Sequence, residues 1–295
     1  MLTVAVTGAG GFVGQRFMSY KTDRYRLVPI SLRSTSPAAI DLNGIDTIVH
    51  LAGKAHDMSL QDEKVYMDIN FGLTKDLADH ALHSGVRHFI YISTVKVYGE
   101  GTDEVLNESS ACKPEDPYGK SKLMAEQYLQ SLQTDAFVVS IVRPPVVYGP
   151  GVKGNIAKLI DVINKGRPLP LGNTGNRRSM VFLDNLIELI HRIIDTRQPG
   201  IFIPGDAQPL ATDELIRLIS KHSGKKSKLV SIPGFMRAMM RAVKPGLYKR
   251  LFGSFVIDNT GTNMRLGFTP PYSTDHGVGQ MINWYKKGNT HERDI

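Results

Sequence analysis

Cysteine is almost absent from this 295-residue chain. Cys112 stands alone, which excludes an intrachain disulfide and a cysteine-based metal cluster. No apolar run is long enough to span a bilayer, so no integral membrane segment is expected. Met1 leads directly into an apolar strand, without a basic n-region or a small-residue cleavage site, and a cytoplasmic protein is expected. Solenoid repeats and low-complexity segments are also missing. The net charge is +8 and the pI near 9.4, yet no basic run or nucleic-acid motif accompanies them. Anionic small molecules explain the charge as well as a nucleic acid does, and no nucleic-acid partner or metal is expected.

The apolar content is that of a globular protein, and the length suits one large domain with a smaller lobe. Leu2–Val6 reads as a strand and Phe12–Tyr20 as a helix. The turn between them carries Gly8, Gly11 and Gly14 in a G-x-x-G-x-x-G spacing. Glycine lets a backbone approach a pyrophosphate, and the helix N-terminus that follows offers free N–H groups to it. Arg26–Ser31 is the second strand. Sites that hold NAD usually place an acid at its end for the ribose 2′-hydroxyl, but this chain has Ser31, Leu32, Arg33 and Ser34. A cation and hydroxyls suit a 2′-phosphate, which favours NADP(H) over NAD(H). The stretch from Ser34 to Asp46 is too short for a regular third strand and its helix, so the adenine side is expected to be trimmed.

Thr47–Ala52, Arg87–Ser93 and Ala136–Val142 read as further strands, with an amphipathic helix containing Asn70 within Leu60–Ser84. Strands alternating with helices imply a parallel, doubly wound α/β sheet of Rossmann type. The texture changes after Arg143–Gly151, where Gly and Pro punctuate shorter segments. The division expected is a dinucleotide-binding domain over 1–148, with room for strand and helix contributions from later segments, and a mainly helical substrate lobe over 149–295. Lobe helices are expected near Asp184, read as a helix cap, and at Thr212–His222, Phe235–Val243 and Thr274–Lys287. Ile232–Phe255 mixes Met and Phe with Arg237, Arg241, Lys244, Lys249 and Arg250. It is read as a lobe helix with a buried apolar face rather than a membrane-surface helix. Lys54 and His56 are read as solvated loop residues.

Tyr118 and Lys122 lie four residues apart, on one face of a helix that Asp116 caps and Pro117 opens. A free phenol titrates near about 10 and is a poor proton shuttle at neutral pH. A nearby ammonium and a helix N-terminus both favour the phenolate, which would bring Tyr118 into a useful range. Ser93 and Thr94 arrive at the C-terminal end of their strand, the edge where open α/β sheets bind ligands.

Together these residues resemble the extended short-chain dehydrogenase/reductases, the NAD-dependent epimerase/dehydratase family, over nearly the whole chain. The resemblance rests on Thr7–Gly14, Leu51-Ala52-Gly53, Asn70, Ser93-Thr94 before Val97-Tyr98-Gly99, Tyr118 with Lys122, and Arg143–Gly151. It implies that Tyr118 is the acid/base, that Lys122 holds the nicotinamide ribose, and that Thr94 bonds the reacting oxygen, with Ser93 as a nearby competitor. It implies a cofactor along Gly8, Gly11, Phe12, Val13, Gly14, Arg33, Leu51, Ala52, Gly53 and Ser93. Gly151–Ile156, Pro168–Gly172 and Asn176–Ser179 resemble bacterial surface-polysaccharide enzymes that reduce C4 of UDP-2-acetamido-2,6-dideoxy-4-hexuloses. By that match Asn155 and Arg177 or Arg178 hold the diphosphate, and Leu169 and Leu171 flank uracil. The alternative is a UDP-hexose 4-epimerase with tightly bound NAD; a third reading is a catalytically silent NADP-binding regulator. Related 4,6-dehydratases carry an acidic pair where this chain has Val95 and Lys96, which argues against dehydration. The resemblance also implies a homodimer through a helix bundle that includes the Tyr118 helix.

Overall fold

The structure, a computed structural model, describes residues 1–20, 23–33, 35–55, 62–101 and 104–291; Ser34 and His56 lie outside them. In chain order the first elements are β1 (Leu2–Thr7), α1 (Phe12–Ser19), β2 (Tyr25–Ile30), β3 (Thr47–His50), α2 (Glu63–Tyr66) and α3 (Leu73–His83). They continue with β4 (His88–Ile92), β5 (Val105–Leu106), α4 (Pro117–Ser131), β6 (Val138–Val142) and β7 (Val146–Tyr148). The remainder comprises α5 (Gly154–Asn164), β8 (Pro168–Gly172), β9 (Met180–Phe182), α6 (Leu183–Thr196), β10 (Gly200–Phe202), α7 (Thr212–Ser223) and β11 (Lys228–Ser231). Last come α8 (Gly234–Val243), α9 (Pro245–Phe252), β12 (Val256–Ile257), α10 (Thr260–Leu266) and α11 (Thr274–His291).

Six parallel strands form the central sheet in the order β10-β6-β4-β3-β1-β2. Successive side chains of a strand point to opposite faces, and the buried residues obey that alternation. Val4, Val6, Val49, Ile90 and Val142 enter one core with α1 and α6. Ala5, Ile48, Phe89, Tyr91 and Ile141 enter the other, against Leu77, Ala78 and Ala81 of α3 and Ala125 and Leu129 of α4. Burial on both faces explains the near-continuous apolar runs of these strands. The order in which strands are added reverses between β1 and β3, which opens a crevice beyond their C-terminal ends.

Beyond β2 no further strand joins the sheet among the described residues, and a single 3₁₀ turn at Pro37–Ala39 leads toward β3. The trimmed adenine side expected from the short linker is therefore present. A later segment supplies the other edge. Val138–Val142 is not the last strand, because β10 pairs beyond it through Gly200–Ser140 and Phe202–Val142. Sheet and lobe thus interleave across the expected boundary at 148. Asp184 does not cap α6 as expected, since the N-cap is Phe182 and Asp184 lies within the first turn; its carboxylate instead accepts from Arg16 Nε at 2.6 Å and Nη2 at 2.7 Å. That bidentate pair ties α6 to α1, directly beneath the glycine turn.

The lobe is built from two-stranded parallel pairs, β7 with β9, β8 with β11 and β5 with β12, packed among α5, α7, α10 and α11. Buried Asp206 fastens it, accepting from Tyr148 Oη at 2.6 Å, Asn185 Nδ2 at 2.8 Å and Phe182 N at 3.0 Å. The helices expected near residues 212, 235 and 274 are present, but α8 departs from expectation because none of its residues is buried. Among the described residues no helix is long and apolar enough to cross a membrane.

Bidentate guanidinium–carboxylate pairs are stronger than point contacts, while partial exposure of Arg16 limits the gain. Asp184→Asn should therefore lower stability by about 1 kcal/mol. The urea midpoint should fall with an unchanged m-value, which equilibrium unfolding measures directly.

Candidate active site

The first wall of the site is the turn after β1. Gly8 has a φ of 68° and lies so close to the end of β3 that a Cβ there would stand 2.6 Å from Ala52 N and 2.7 Å from Leu51 C. A Cβ on Gly14 would stand 2.1 Å from Gly8 O. Gly11 N donates to Gly8 O at 2.9 Å, and Gly11 is the N-cap of α1. The turn is thus folded tightly onto its own helix, leaving the N–H groups of Phe12, Val13 and Gly14 at the helix start as donors for a pyrophosphate. Space above Gly10 is open, with no atom within 4 Å of a built Cβ. These residues fit a dinucleotide. Arg33, past β2, is exposed to solvent at the same edge.

The loop after β3 is held by a relay of buried hydrogen bonds. Ala52 N donates to Thr7 Oγ1 at 3.2 Å, and Thr7 Oγ1 bonds His50 Nδ1 at 2.7 Å. His50 Nε2 bonds Thr74 Oγ1 at 2.9 Å, and Thr74 donates to Asn70 O at 2.7 Å. Burial pushes the His50 imidazole down to about 3, so it stays neutral, donating through one nitrogen and accepting through the other. Asn70 sits in a π turn, Met67–Gly72, between α2 and α3, a distortion that often marks functional positions. Its side chain accepts from Lys54 N at 2.7 Å and donates to Ser121 Oγ at 3.1 Å. Gly53 is squeezed between Asn70 Oδ1 and Lys122 Nζ, at 2.9 and 3.4 Å from a built Cβ.

Asp116 accepts from Gly119 N at 2.6 Å and caps α4, with Pro117 in the first turn. Tyr118 and Thr94 share a hydrogen bond, and Tyr66 meets the Tyr118 ring edge-on at 6.0 Å between centroids. Burial is the larger effect on Tyr118, holding its phenol up at about 12 against the opposing pull of Thr94. Lys122 does not depress the phenol as expected, because its ammonium is engaged elsewhere. Nζ donates to Ile92 O at 2.8 Å and lies 4.6 Å above the Tyr91 ring. Burial brings the Lys122 ammonium down to about 8, opposed by the charge of Glu126. Ser93 is not a free competitor of Thr94 either, since its hydroxyl donates to Glu126.

Glu126 is fully buried and receives Arg143 through Nε at 3.1 Å and Nη2 at 2.5 Å. Arg143 Nη1 also donates to Tyr98 Oη at 2.7 Å. Sequence reasoning missed Glu126, although residues 118, 122 and 126 repeat at a helical spacing of four on one face of α4. It missed Tyr66, His50 and Ser121 as well; their apolar surroundings conceal them among core residues.

A cavity of about 760 Å³ begins one residue past Thr94, at Val95 and Lys96. Lys54, Lys96, Lys158, Arg178 and Lys249 give its walls cations, against the single carboxylate of Glu100. Lys96 is paired to Glu100 and to Asp116 at 2.9 Å. Asn155 lines the cavity as expected, and Lys54 lines it contrary to expectation. Of the two expected arginines, Arg178 lines it, donating to Gly253 O at 3.0 Å and Lys249 O at 2.9 Å, whereas Arg177 points to solvent outside it. The side chains of Leu169 and Leu171 turn into the lobe core instead of lining the cavity.

Comparison with known proteins decides the family. The family model described as "NAD dependent epimerase/dehydratase family" matches residues 4–203. This chain belongs to that family. It is 31% identical to a UDP-glucose 4-epimerase of Vibrio cholerae, over 97% of this chain and 96% of that protein. It is 24% identical to the N-acetyl-α-D-glucosaminyl-diphospho-ditrans,octacis-undecaprenol 4-epimerase of Escherichia coli O157:H7, over 95% and 94%. The UDP-glucuronic acid 4-epimerase of Bacillus cereus, solved with NAD, shares its fold with a TM-score of 0.79 at 21% identity, over 97% and 99%. RMD from Pseudomonas aeruginosa, solved with NADPH, does so with a TM-score of 0.79 at 21% identity, over 97% and 100%.

In this family member the buried lysine makes stability depend on pH. The unfolded chain holds the Lys122 proton up to 10.5 and the folded chain only to about 8. Between those values the unfolded state binds more protons, so stability rises with pH and the gain is absent below about 8. Lys122→Met removes that increment. Urea midpoints of wild type and variant, compared at neutral pH and near 10.5, should converge or cross in favour of wild type as pH rises.

Proposed function

We propose that this protein inverts C4 of a UDP-hexose such as UDP-glucose or UDP-N-acetylglucosamine, with a nicotinamide dinucleotide in the glycine turn. The observation that carries the reading is the Tyr118–Thr94 hydroxyl pair beside a cationic cavity, in a chain that matches a UDP-glucose 4-epimerase almost end to end. When bound, an oxidised nicotinamide would accept the C4 hydride and return it to the other face, and its positive charge would favour the Tyr118 phenolate. Tyr118 takes the proton of the C4 hydroxyl and returns it after the sugar has presented its other face. Thr94 orients that oxygen. Lys122, whose Nζ lies between Ile92 O and the Tyr91 ring with room left by Gly53, is the residue assigned here to hold the nicotinamide ribose. Asn155, Lys158 and Arg178 offer donors to the diphosphate.

A second reading, reduction of a UDP-4-keto-sugar by NADPH, draws on two observations. No acid follows β2 among the described residues, where Ser31, Leu32 and Arg33 stand. A phenol held at about 12 is a proton donor at neutral pH, the role reduction requires. Dehydration receives no such support: Val95 is buried, and Lys96 is tied to Glu100 and Asp116.

The purified protein is given UDP-glucose or UDP-N-acetylglucosamine with catalytic NAD, and the products are resolved by proton NMR. Appearance of the C4 epimer without net cofactor turnover is expected. No epimer, together with stoichiometric NADPH consumption on a 4-keto-sugar, would replace this reading with the second. Under either reaction Tyr118→Phe should cost turnover at least about a hundredfold. Dinucleotide affinity, titrated by fluorescence, should stay within a few-fold of wild type, because the glycine turn is untouched.

A further inference from the structure

We propose that α8 and α9 form a docking face for the surface of an anionic phospholipid bilayer. The inference is independent of the reaction proposed above. Residues 225–257 contain eight Lys and Arg and no Asp or Glu. That excess equals the net charge of +8, so the rest of the chain is neutral overall. A charge that is unremarkable as a total is concentrated in one segment.

The same segment presents its apolar residues outward. Phe235 is 74% exposed, Met239 61% and Val243 71%, with Met236 beside them on one face of α8. The helix is held in this orientation from its other side. Arg237 donates to Asn173 O at 2.8 Å and Gly172 O at 3.2 Å and lies over the Phe252 ring, while Met240 packs on the lobe core. Val230 and Leu247 extend the exposed apolar surface into β11 and α9. Lys225, Lys226, Lys228, Arg241, Lys244 and Lys249 are exposed around it.

Apolar side chains ringed by cations match the acyl boundary and headgroups of an anionic leaflet. A second copy of this chain is a poor occupant, since a two-fold contact would set this cationic patch against itself. The docked face adjoins the substrate cavity: Lys249 and Phe255 line it, and Arg178 bonds Lys249 O and Gly253 O. Docking would therefore hold the cavity near the bilayer.

The test is co-sedimentation of the full chain with vesicles of phosphatidylcholine, alone or mixed with phosphatidylglycerol, at low and high salt. Binding is expected only to the mixed vesicles and should be lost at high salt. Lys225→Gln with Lys226→Gln should weaken the partition by about fivefold per charge. Phe235→Ser with Met239→Ser should abolish it while leaving thermal unfolding and turnover of soluble substrate unchanged. No binding to anionic vesicles, equal binding to neutral ones, or binding indifferent to the Phe235/Met239 change would each overturn the proposal. So would a dimer in sedimentation velocity that the Phe235/Met239 change dissociates, which would assign the face to a second copy.

Discussion

The catalytic edge of the sheet rests on the buried carboxylate of Glu126. It receives Arg143 and Ser93, and Arg143 carries the bond onward to Tyr98. Two charges this deep are tolerated only when paired and hydrogen-bonded on all sides. Removing one partner of such a pair costs about 3–5 kcal/mol, because the other charge stays buried. Glu126 also opposes the desolvation of Lys122 one turn earlier on the same helix. The carboxylate thus fixes Ser93, at the end of β4, and Arg143, just past β6. Thr94 follows Ser93 directly, so the hydroxyl beside Tyr118 is placed by a group that never meets substrate.

A second constraint comes from the crevice between β1 and β3. Gly8 must nest against Leu51 and Ala52 before a pyrophosphate could approach the turn, and only a residue without a Cβ permits 2.6 Å there. The relay from Thr7 through His50 and Thr74 then carries that placement to Asn70. Asn70 in turn holds Lys54 and Ser121, so its π turn links the cofactor edge to the helix of Tyr118. A regular α-helix through 67–72 would rotate Asn70 away from one of these partners, which gives the distortion a physical reason.

Much of this was legible in the residues. Strands buried on both faces announce themselves as apolar runs, and the short Ser34–Asp46 stretch correctly forecast the trimmed adenine side. Asp116-Pro117 marked the start of α4. What stayed hidden depends on contacts distant in sequence. β10 is three residues long and gains its place only by pairing with β6. Leu169 and Leu171 alternate into the lobe core, a choice of strand face that a Pro-Leu-Pro-Leu-Gly run does not declare. The Tyr118–Lys122 spacing located the pair but gave the wrong electrostatics, because desolvation and the Ile92 carbonyl outweigh proximity to the phenol. The Met and Phe residues of α8 suggested an apolar stripe without revealing that the Arg237 contacts turn it outward.

The cationic cavity and the acid/base pair meet different demands. Under the proposed reaction a nucleoside diphosphate would be held by charge at Lys158, Arg178 and their neighbours, on the cavity wall beyond Thr94. A sugar beside Tyr118 would then need few strong contacts, and weak contacts would allow it to turn over. Epimerisation requires that freedom together with a dinucleotide retained through both halves of the reaction, while reduction requires only that the dinucleotide exchange. The glycine turn would grip the pyrophosphate in either case. The side that would enclose adenine is the one this sheet lacks, ending at β2 with an exposed Arg33. Under the proposed reaction retention would come from the pyrophosphate and the nicotinamide ribose, which would put the difference between the two reactions on the glycine turn and Lys122 rather than on the sugar pocket.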